Sequence, residues 1–227
     1  PVATIDAISC TTTPIVHAAD DRSVMETNEA VPAVIASMAA MAPGKSLHIG
    51  PSAIAMRHNP YGAATADNPR AERIAMAEDD PRQRGLFAAA WSVGYVAAIA
   101  EAGGVASLAL NHLAGRAGVL GDGGKVLPVF HVMAALRSAG GAALLTLELT
   151  SAQLAGLAWR NARGTQVLLA NRTGEPVRVA LAHDLKGQVL DVASAPAAAD
   201  SDWLGSDSEA LGPTLELGAY ATVFASA

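Results

Sequence analysis

The amino-acid sequence predicts an α/β fold, in which three strand–helix units of the TIM-barrel type are followed by a small antiparallel β-sandwich. Over residues 1–140, strand and helix signals alternate, which is the pattern of parallel strands joined by helices. Over residues 141–227, short strand candidates follow one another with turn signals and no helix between them, which is typical of a sandwich. A domain boundary is therefore predicted near Gly140 and Gly141.

The strand–helix units are recognised by short strand-like runs, each followed by a longer helical segment. The predicted strands span residues 5–9, 45–50 and 105–110, and the predicted helices span residues 23–41, 81–102 and 128–138. Ser23 and Glu26 match a capping box at the start of the first helix. The second helix is predicted to start at Asp80 as its cap, with Pro81 as its first residue. Gln83 follows three positions after the cap, as in a capping box.

The second part of the chain contains seven short strand candidates. They span residues 144–149, 155–160, 166–170, 177–181, 189–192, 214–217 and 221–224. Turn-forming residues separate them, most clearly at 161–164 and 171–176. Short strands at even spacing predict a small antiparallel sandwich.

The composition excludes several classes of partner. Hydrophobic residues make up 51% and charged residues 16% of the chain, so a packed core is expected. The net charge is −6 without a run of Lys or Arg, which disfavours nucleic acids and anionic membranes. The longest uncharged apolar stretch, residues 86–100, is shorter than the roughly 20 residues of a membrane span. The single cysteine, Cys10, excludes an internal disulfide and agrees with a cytoplasmic location.

Three parallel strands cannot close a (β/α)8 barrel, so we expect this chain to be the C-terminal portion of a longer enzyme. The sequence begins at Pro1, without methionine, directly before a strand-like run. The remainder of the barrel is then a partner of this chain, and the isolated chain is expected to be inactive. The helix over residues 81–102 is apolar on more than one face, which predicts that the β-sandwich covers part of it.

The active site of such a barrel lies on the loops that follow the carboxyl ends of the strands. Three loops of this kind are predicted, over residues 11–22, 51–79 and 111–127. The second is far longer than the usual connection of about 2–6 residues, which favours a functional loop. Three of the six histidines and several arginines lie in these loops, which is also typical of a catalytic role.

In the first loop, His17 and Asp20 are predicted to be catalytic, and Asp21 is predicted to bind substrate. A carboxylate can orient an imidazole that takes a proton from water or from a sugar hydroxyl. The alternative is that both aspartates lie at a helix start, where they stabilise its positive end. Glu26 belongs to the predicted capping box and is expected to be structural.

In the second loop, Arg57 is predicted to be catalytic, because a guanidinium can bind a carboxylate or a developing oxyanion. Ser52, His58 and Asn59 are predicted to bind substrate, with Ser52 facing the site at the end of its strand. The alternative is a loop held together by its own hydrogen bonds. Ser52 lacks the Gly-x-Ser-x-Gly surroundings of a nucleophile elbow, which disfavours a serine hydrolase.

In the third loop, Asn111, His112 and Arg116 are predicted to bind substrate. Residues 121–124 are rich in glycine but lack the Lys-Ser/Thr of a phosphate-binding loop. His131 lies among apolar residues of a helix and is expected in the core or at a domain interface. No Cys, His or Asp set has the spacing of a metal site, and no cofactor is predicted.

Several segments of this sequence resemble the D-apionate lactonase family. The two most specific are PIVHAADDRSVMET at residues 14–27 and IGPSAIAMRHNPYG at residues 49–62. The resemblance continues in DPRQRGLFAAAW at 80–91, PVFHV at 128–132 and ANRTGEPV at 170–177. It implies a glycoside-hydrolase-like TIM barrel with a C-terminal sandwich, of which this chain would hold the last three strand–helix units.

The activity that this resemblance implies is the opening of D-apionolactone to D-apionate during apiose breakdown. In related glycosidases, one catalytic carboxylate follows the fourth barrel strand and the other ends the seventh, where this sequence has Ser52. Lactone hydrolysis is therefore favoured over glycoside cleavage by two carboxylates. The alternatives are a TIM-barrel glycoside hydrolase and a non-catalytic carbohydrate-binding or scaffold fragment. The aromatic content of 4% disfavours the last.

Overall fold

A computed structural model describes residues 2–59, 61–206 and 208–227. The chain forms two compact units, the first from residues up to 83 together with 95–118, and the second from 84–94 together with 119–227. The predicted domains, 1–140 and 141–227, were separated by their different patterns of strands and helices. The boundary between them stays a prediction. Within the described residues, no helix is both long and apolar enough to cross a bilayer.

The first unit is built on a parallel sheet. Its strands are β1 (Ala7–Cys10), β2 (Ser46–Ser52) and β3 (Val105–Leu110), in the order β1-β2-β3. The three predicted strands are thus present, with the first shifted toward its carboxyl end. On β2, Leu47 and Ile49 are buried on one face, and His48 between them lies on the other, as the two-residue period of a strand requires.

The first predicted helix is interrupted, which corrects the expectation of one helix over residues 23–41. Helix α1 (Asp21–Glu26) is followed by a 3-10 turn (Thr27–Ala30) and then by α2 (Val31–Met41). Pro32 lies in the first turn of α2 and has no N–H to continue the hydrogen bonding of α1, so the backbone begins a new helix there.

The second predicted helix also begins later than the cap pattern indicated. Pro81–Arg84 form a separate 3-10 turn, and α3 (Leu86–Ala102) starts after it. The carboxylate of Asp80 accepts the backbone N–H of Arg82 at 2.9 Å, so Asp80 caps the 3-10 turn rather than α3. The fourth helix, α4, spans Pro128–Arg137 in close agreement with its prediction.

The second unit contains the predicted antiparallel strands. They are β4 Ala143–Leu145, β5 Leu154–Asn161, β6 Gly164–Asn171, β7 Val177–Ala180, β8 Lys186–Leu190, β9 Glu209–Ala210, β10 Thr214–Leu217 and β11 Thr222–Ser226. Six form one sheet in the order β4-β5-β6-β11-β8-β9, and two form the pair β10-β7. Apolar residues from both sheets form one core, among them Leu169, Val179, Leu217 and Val223. Strand β9 was not predicted, because two residues are too few to show the alternation of a strand.

Asn171 organises the predicted turn between β6 and β7. Its side-chain amide donates to the carbonyl groups of Glu175 at 2.7 Å, Leu217 at 3.2 Å and Gly218 at 2.8 Å. Its carbonyl oxygen accepts the N–H of Thr173 at 2.9 Å. The segment ANRTGEPV therefore carries a structural role in the sandwich.

The first turn of helix α3 contacts the connection between β10 and β11 in the second unit. The ring of Phe87 meets the ring of Tyr220 edge-on, with centroids 4.9 Å apart. The prediction that the β-sandwich covers part of this helix is confirmed at Phe87. Trp91, one turn further along α3, is 2% exposed.

Replacing Trp91 with alanine is expected to destabilise the protein by about 3–5 kcal/mol, because it removes a buried aromatic side chain and leaves a cavity. Denaturant unfolding of the purified protein would measure this loss. Val192→Ala is the control, since Val192 is 77% exposed and its truncation should cost less than about 0.5 kcal/mol. A loss below about 1 kcal/mol for Trp91→Ala, the level of surface changes, would contradict its role in the core.

His131 is buried in the second unit, as expected for a core histidine. Its Nε2 lies 2.7 Å from the carbonyl oxygen of Ala198, and its ring meets Trp203 edge-on at 5.0 Å. Burial lowers the pKa of His131, although the bond to Ala198 and the charge of Asp200 oppose this shift. The neutral ring is therefore the form that the folded protein favours.

The stability of the protein is expected to fall as the pH drops below the ordinary histidine pKa of about 6.5. The unfolded chain takes up a proton there, whereas folded His131 resists it. His131→Gln keeps a side-chain donor but does not titrate, so its melting temperature should fall less steeply between pH 7 and pH 5. His183→Gln, at an exposed position, is the control and should follow the wild type. Equal slopes for wild type and His131→Gln would rule out this contribution.

Candidate active site

The three predicted loops begin side by side in the first unit, because β1, β2 and β3 are parallel and end at one edge of their sheet. The long loop after β2 contacts the loop after β1 through the backbone, where the N–H of Met76 donates to the carbonyl of Ile15 at 2.7 Å. Asn68 holds the long loop together internally, with its amide donating to the carbonyls of Glu72 and Asp79, both at 2.7 Å.

A buried ion-pair network joins the first two loops. The guanidinium of Arg82 binds both carboxylate oxygens of Asp80, at 2.9 and 2.6 Å, and also binds Asp21 at 3.0 Å. It donates further to the carbonyl of Ala19 at 2.8 Å, and Arg73 reaches Asp21 from the long loop at 2.9 Å. Burial alone would lower the pKa of Arg82, but the bonds and charges of Asp80 and Asp21 raise it overall. Asp21, predicted to bind substrate, is engaged in this network.

Gln83 joins the second loop to the third. Its Oε1 accepts the N–H of Ile54 at 3.2 Å, and its Nε2 donates to Oδ1 of Asn111 at 2.8 Å. Asn111 is buried and has a positive φ of 60°, a conformation that asparagine tolerates better than most residues. Asn111, predicted to bind substrate, is thus held by Gln83 at the end of β3.

Three hydroxyl groups meet behind the strand ends. Ser52 Oγ lies 2.9 Å from Thr12 Oγ1 and 3.0 Å from the hydroxyl of Tyr95, which also bonds to Thr12. Burial raises the pKa of Tyr95, and the bonds from Ser52 and Thr12 only partly oppose this, so the phenol stays protonated. Ser52 is fully buried in this set. The expectation that it faces the site is not met, because β2 is irregular between Ile49 and Ser52 and the alternation is broken there.

Arg57 lies in the loop after β2 and is half-buried. Its Nη2 donates to the carbonyl of Pro51, and its Nη1 is enclosed without a hydrogen-bond partner among the described residues. Burial lowers the pKa of Arg57, and the charge of ionised Tyr95 would oppose this. The guanidinium thus keeps donor capacity that no described group of the chain satisfies.

His17 lies exposed in the first loop and faces Tyr61 of the second. Its Nε2 lies 3.4 Å from the Tyr61 hydroxyl, and the two ring centroids are 6.3 Å apart. Asp20 is the N-cap of α1, and its carboxylate accepts the N–H of Ser23 at 2.9 Å. Of the two roles left open for Asp20, the structure shows the helix cap. The capping box assigned to Ser23 is therefore wrong, since Ser23 donates to the cap.

Glu26 forms an exposed ion pair with Arg22, at 2.7 Å, one helical turn away. This contact differs from the predicted capping box, and the structural role of Glu26 stays a prediction. Bonds of Asp20 to the backbone, led by Ser23, lower the pKa of the Asp20 carboxyl, which is the behaviour of a charged helix cap.

Of the other predicted substrate ligands, two are exposed and two form contacts within the chain. His58 and His112 are exposed at the loops after β2 and β3. Asn59 is buried and closes a turn by accepting the N–H of Tyr61 at 2.9 Å. Arg116 forms an ion pair with Glu78, which ties the third loop to the second. The loop-holding alternative thus applies to Asn59, and His58 and His112 remain accessible.

Sequence reasoning missed the residues that join the loops. Arg82 and Gln83 lie in a segment that the sequence assigns to a helix start, and Tyr95 lies in a helix that is otherwise apolar. A signal was present, because Arg82 and Gln83 both lie within four positions of a helix that is apolar on several faces, where a neighbouring polar side chain is often buried as well. Within residues 2–59, 61–206 and 208–227, no group of three or more His, Cys, Asp and Glu is placed to hold a metal ion.

Comparison with known proteins gives matches along most of the chain. Residues 1–141 match the family model described as "D-apionate lactonase, TIM barrel domain", and residues 151–225 match "D-apionate lactonase, C-terminal immunoglobulin-like domain". A D-apionate lactonase of Brucella anthropi is 38% identical over 195 residues, which cover 80% of this chain and 30% of that protein. The chain thus spans less than a third of this curated relative.

Solved structures resemble the chain in fold. A monomeric β-xylosidase from Caulobacter crescentus CB15 matches with a TM-score of 0.57 and 14% identity, over 98% of this chain and 55% of that one. A GH30 endoxylanase from Clostridium papyrosolvens C71 matches with a TM-score of 0.53 and 12% identity, over 99% and 50% of the two chains. At these identities the likeness concerns the fold alone.

Proposed function

Because the chain belongs to the D-apionate lactonase family, we propose that it is part of an enzyme that hydrolyses a sugar lactone, D-apionolactone, to D-apionate. The observation that carries this proposal is the 38% identity over 195 residues to a D-apionate lactonase. The loops after β1, β2 and β3, which Arg82, Gln83 and Arg116 tie together, supply its site. We place the enzyme in the cytoplasm and in apiose breakdown.

The three strand–helix units are then the last three of a TIM barrel, and a longer polypeptide supplies the others. The family model for the barrel and the 30% coverage of the relative support this arrangement. So does the sheet, where Ala7, Ser9, Ser107 and Ala109 are exposed, whereas Ile8 and Leu108 between them are half-buried. Barrel interiors are normally filled by side chains from all strands, so the isolated chain lacks part of its site.

In the reaction, water attacks the lactone carbonyl carbon and the ring C–O bond breaks. His17 takes the proton of the attacking water, and this proton is passed to the departing ring oxygen, which becomes a hydroxyl. The other product group is a carboxylic acid, which releases the second proton of the water to solvent and becomes a carboxylate. Arg57 donates from its guanidinium to the oxygen that becomes negative in the transition state. Asp20 holds the end of the His17 loop by capping α1, which is a positioning role.

His58 and His112 are the exposed groups that contact the hydroxyls of the substrate, from the loops after β2 and β3. Asp21, Asn59, Asn111 and Arg116 act through the shape of the loops that they hold. Tyr61 joins the site as the neighbour of His17.

The test is acid release by the full-length enzyme, followed by titration at constant pH with D-apionolactone as substrate. Lactone opening well above the uncatalysed rate is expected, whereas aryl β-xylosides and other aryl glycosides should not be cleaved. Glycoside cleavage without lactone opening would favour the TIM-barrel glycosidase instead. Binding of the sugar without turnover of either substrate would favour a carbohydrate-binding protein.

A further inference from the structure

A polar row crosses the open face of the parallel sheet, below the loops of the candidate site. Ser9, His48 and Ser107 occupy paired positions on β1, β2 and β3, so their side chains lie on the same face. This face is opposite to the one that buries Leu47 and Ile49. TIM-barrel interiors are dominated by bulky apolar residues, so a polar row at this level is unusual.

The imidazole of His48 is fixed within this row. Its Nδ1 lies 2.6 Å from Oγ of Ser107 on the neighbouring strand. With Nδ1 engaged, Nε2 is the ring nitrogen that can meet a ligand. Nε2 donates in one tautomer and accepts in the other. A sugar hydroxyl suits both, because it can accept as well as donate.

Small residues follow His48 and Ser107 on their strands. Gly50 comes two residues after His48 on β2, and Ala109 comes two residues after Ser107 on β3. Gly50 has a φ of +124°, and a Cβ atom there would collide with the backbone oxygen of Ala109. This position therefore requires glycine, so neither residue adds a large side chain near His48.

We propose that His48 is a further substrate-binding residue, which forms the floor of the pocket and hydrogen-bonds a hydroxyl of the sugar lactone. Ser107 is its positioning residue, since it holds the ring through Nδ1. This inference rests on the proposed function, because it places the substrate between the loops and the polar row. His17 and Arg57 act on the lactone group at the loop end, while His48 holds a hydroxyl at the far end.

The experiment measures kcat and KM for lactone opening by the full-length enzyme with substitutions at His48. His48→Leu keeps a similar volume without a polar atom and should lower kcat/KM about ten- to thirtyfold, the range expected for a lost hydrogen bond. His48→Gln places an amide near the position of Nε2 and should recover most of that loss. Ser107→Ala should lose less than His48→Leu, because the ring remains but is no longer held.

Two further measurements separate binding from folding. Calorimetric titration with the product D-apionate should show weaker binding for His48→Leu and near-normal binding for His48→Gln, at unchanged melting temperature. His183→Leu, an exposed histidine between β7 and β8, is the control and should stay within about twofold of wild type, as expected for surface changes.

The outcomes distinguish this inference from the proposed function. If the wild type opens the lactone and His48→Leu, His48→Gln and Ser107→Ala all match it, the floor assignment is wrong and the function stands. If the variants His48→Leu and His48→Gln lose equal activity and both also lose stability, His48 is structural and the assignment is again wrong. If the wild type does not open the lactone, the proposed function fails and the substrate assigned to His48 fails with it.

Discussion

Asp80→Ala is expected to destabilise the protein by about 3 kcal/mol, because it leaves a buried guanidinium without its main counter-charge. Asp80 is fully buried, the side chain of Arg82 is 4% exposed, and the two form a two-point ion pair. Asp21 keeps its bond to Arg82 in this variant, which places the loss at the lower end of the range for broken buried pairs. Denaturant unfolding followed by circular dichroism would measure it.

Two comparisons make this result specific to the buried pair. Arg22→Ala breaks the exposed pair with Glu26 and should cost less than about 0.5 kcal/mol. The double variant Asp80→Ala with Arg82→Ala should lose less than the sum of the single variants, because no unpaired charge is left. If Asp80→Ala is no more harmful than Arg22→Ala, the network does not hold the loops together.

His17→Ala and Arg57→Ala are each expected to lower lactone hydrolysis at least a hundredfold, which is the usual effect of removing a general base or an oxyanion donor. His17 lies exposed beside Tyr61, so His17→Ala breaks little internal contact. Arg57→Ala removes one hydrogen bond, from Nη2 to the carbonyl of Pro51, and its effect on folding must be measured beside its effect on catalysis. Acid release at fixed pH, paired with thermal melts, would separate loss of catalysis from loss of folding.

Matched controls lie in the same segments. Arg70→Ala removes an exposed arginine that pairs with Glu72 in the long loop, and Glu26→Ala removes the exposed partner of Arg22. Both should keep near wild-type turnover, and Glu26→Ala should cost only a few tenths of a kcal/mol, about the value of an exposed pair one helical turn apart. Near wild-type turnover of His17→Ala and Arg57→Ala would show that both residues are structural. Loss of activity in Glu26→Ala alone would move the catalytic role to that carboxylate.

The strands could be predicted from the sequence because their signals are local. The alternation at Leu47, His48 and Ile49 places one face of β2 against the core. The helix starts were harder, because Ser23 and Asp80 both have the chemistry of a cap and only the tertiary structure shows what each contacts. Pro32 was a local signal for a new helix start, and it outweighed the continuous apolar pattern around it.

The residues of the site could be predicted only in part, since the loops were visible but their contacts were not. Arg82 bonds to Asp21, 61 residues away, and Tyr95 bonds to Thr12, 83 residues away. Neither contact leaves a periodic pattern, because each depends on how separate strand ends meet. Polar residues such as Ser52 therefore looked like ligands, although the folded chain uses them to fix the loops.

A crystal structure of the full-length enzyme with D-apionate bound would show whether the loops after β1, β2 and β3 form one lactone-binding site. We expect the product carboxylate within hydrogen-bond distance of Arg57 and beside His17, with His58 or His112 at its hydroxyls. A product bound away from these loops, with none of these side chains in contact, would contradict it.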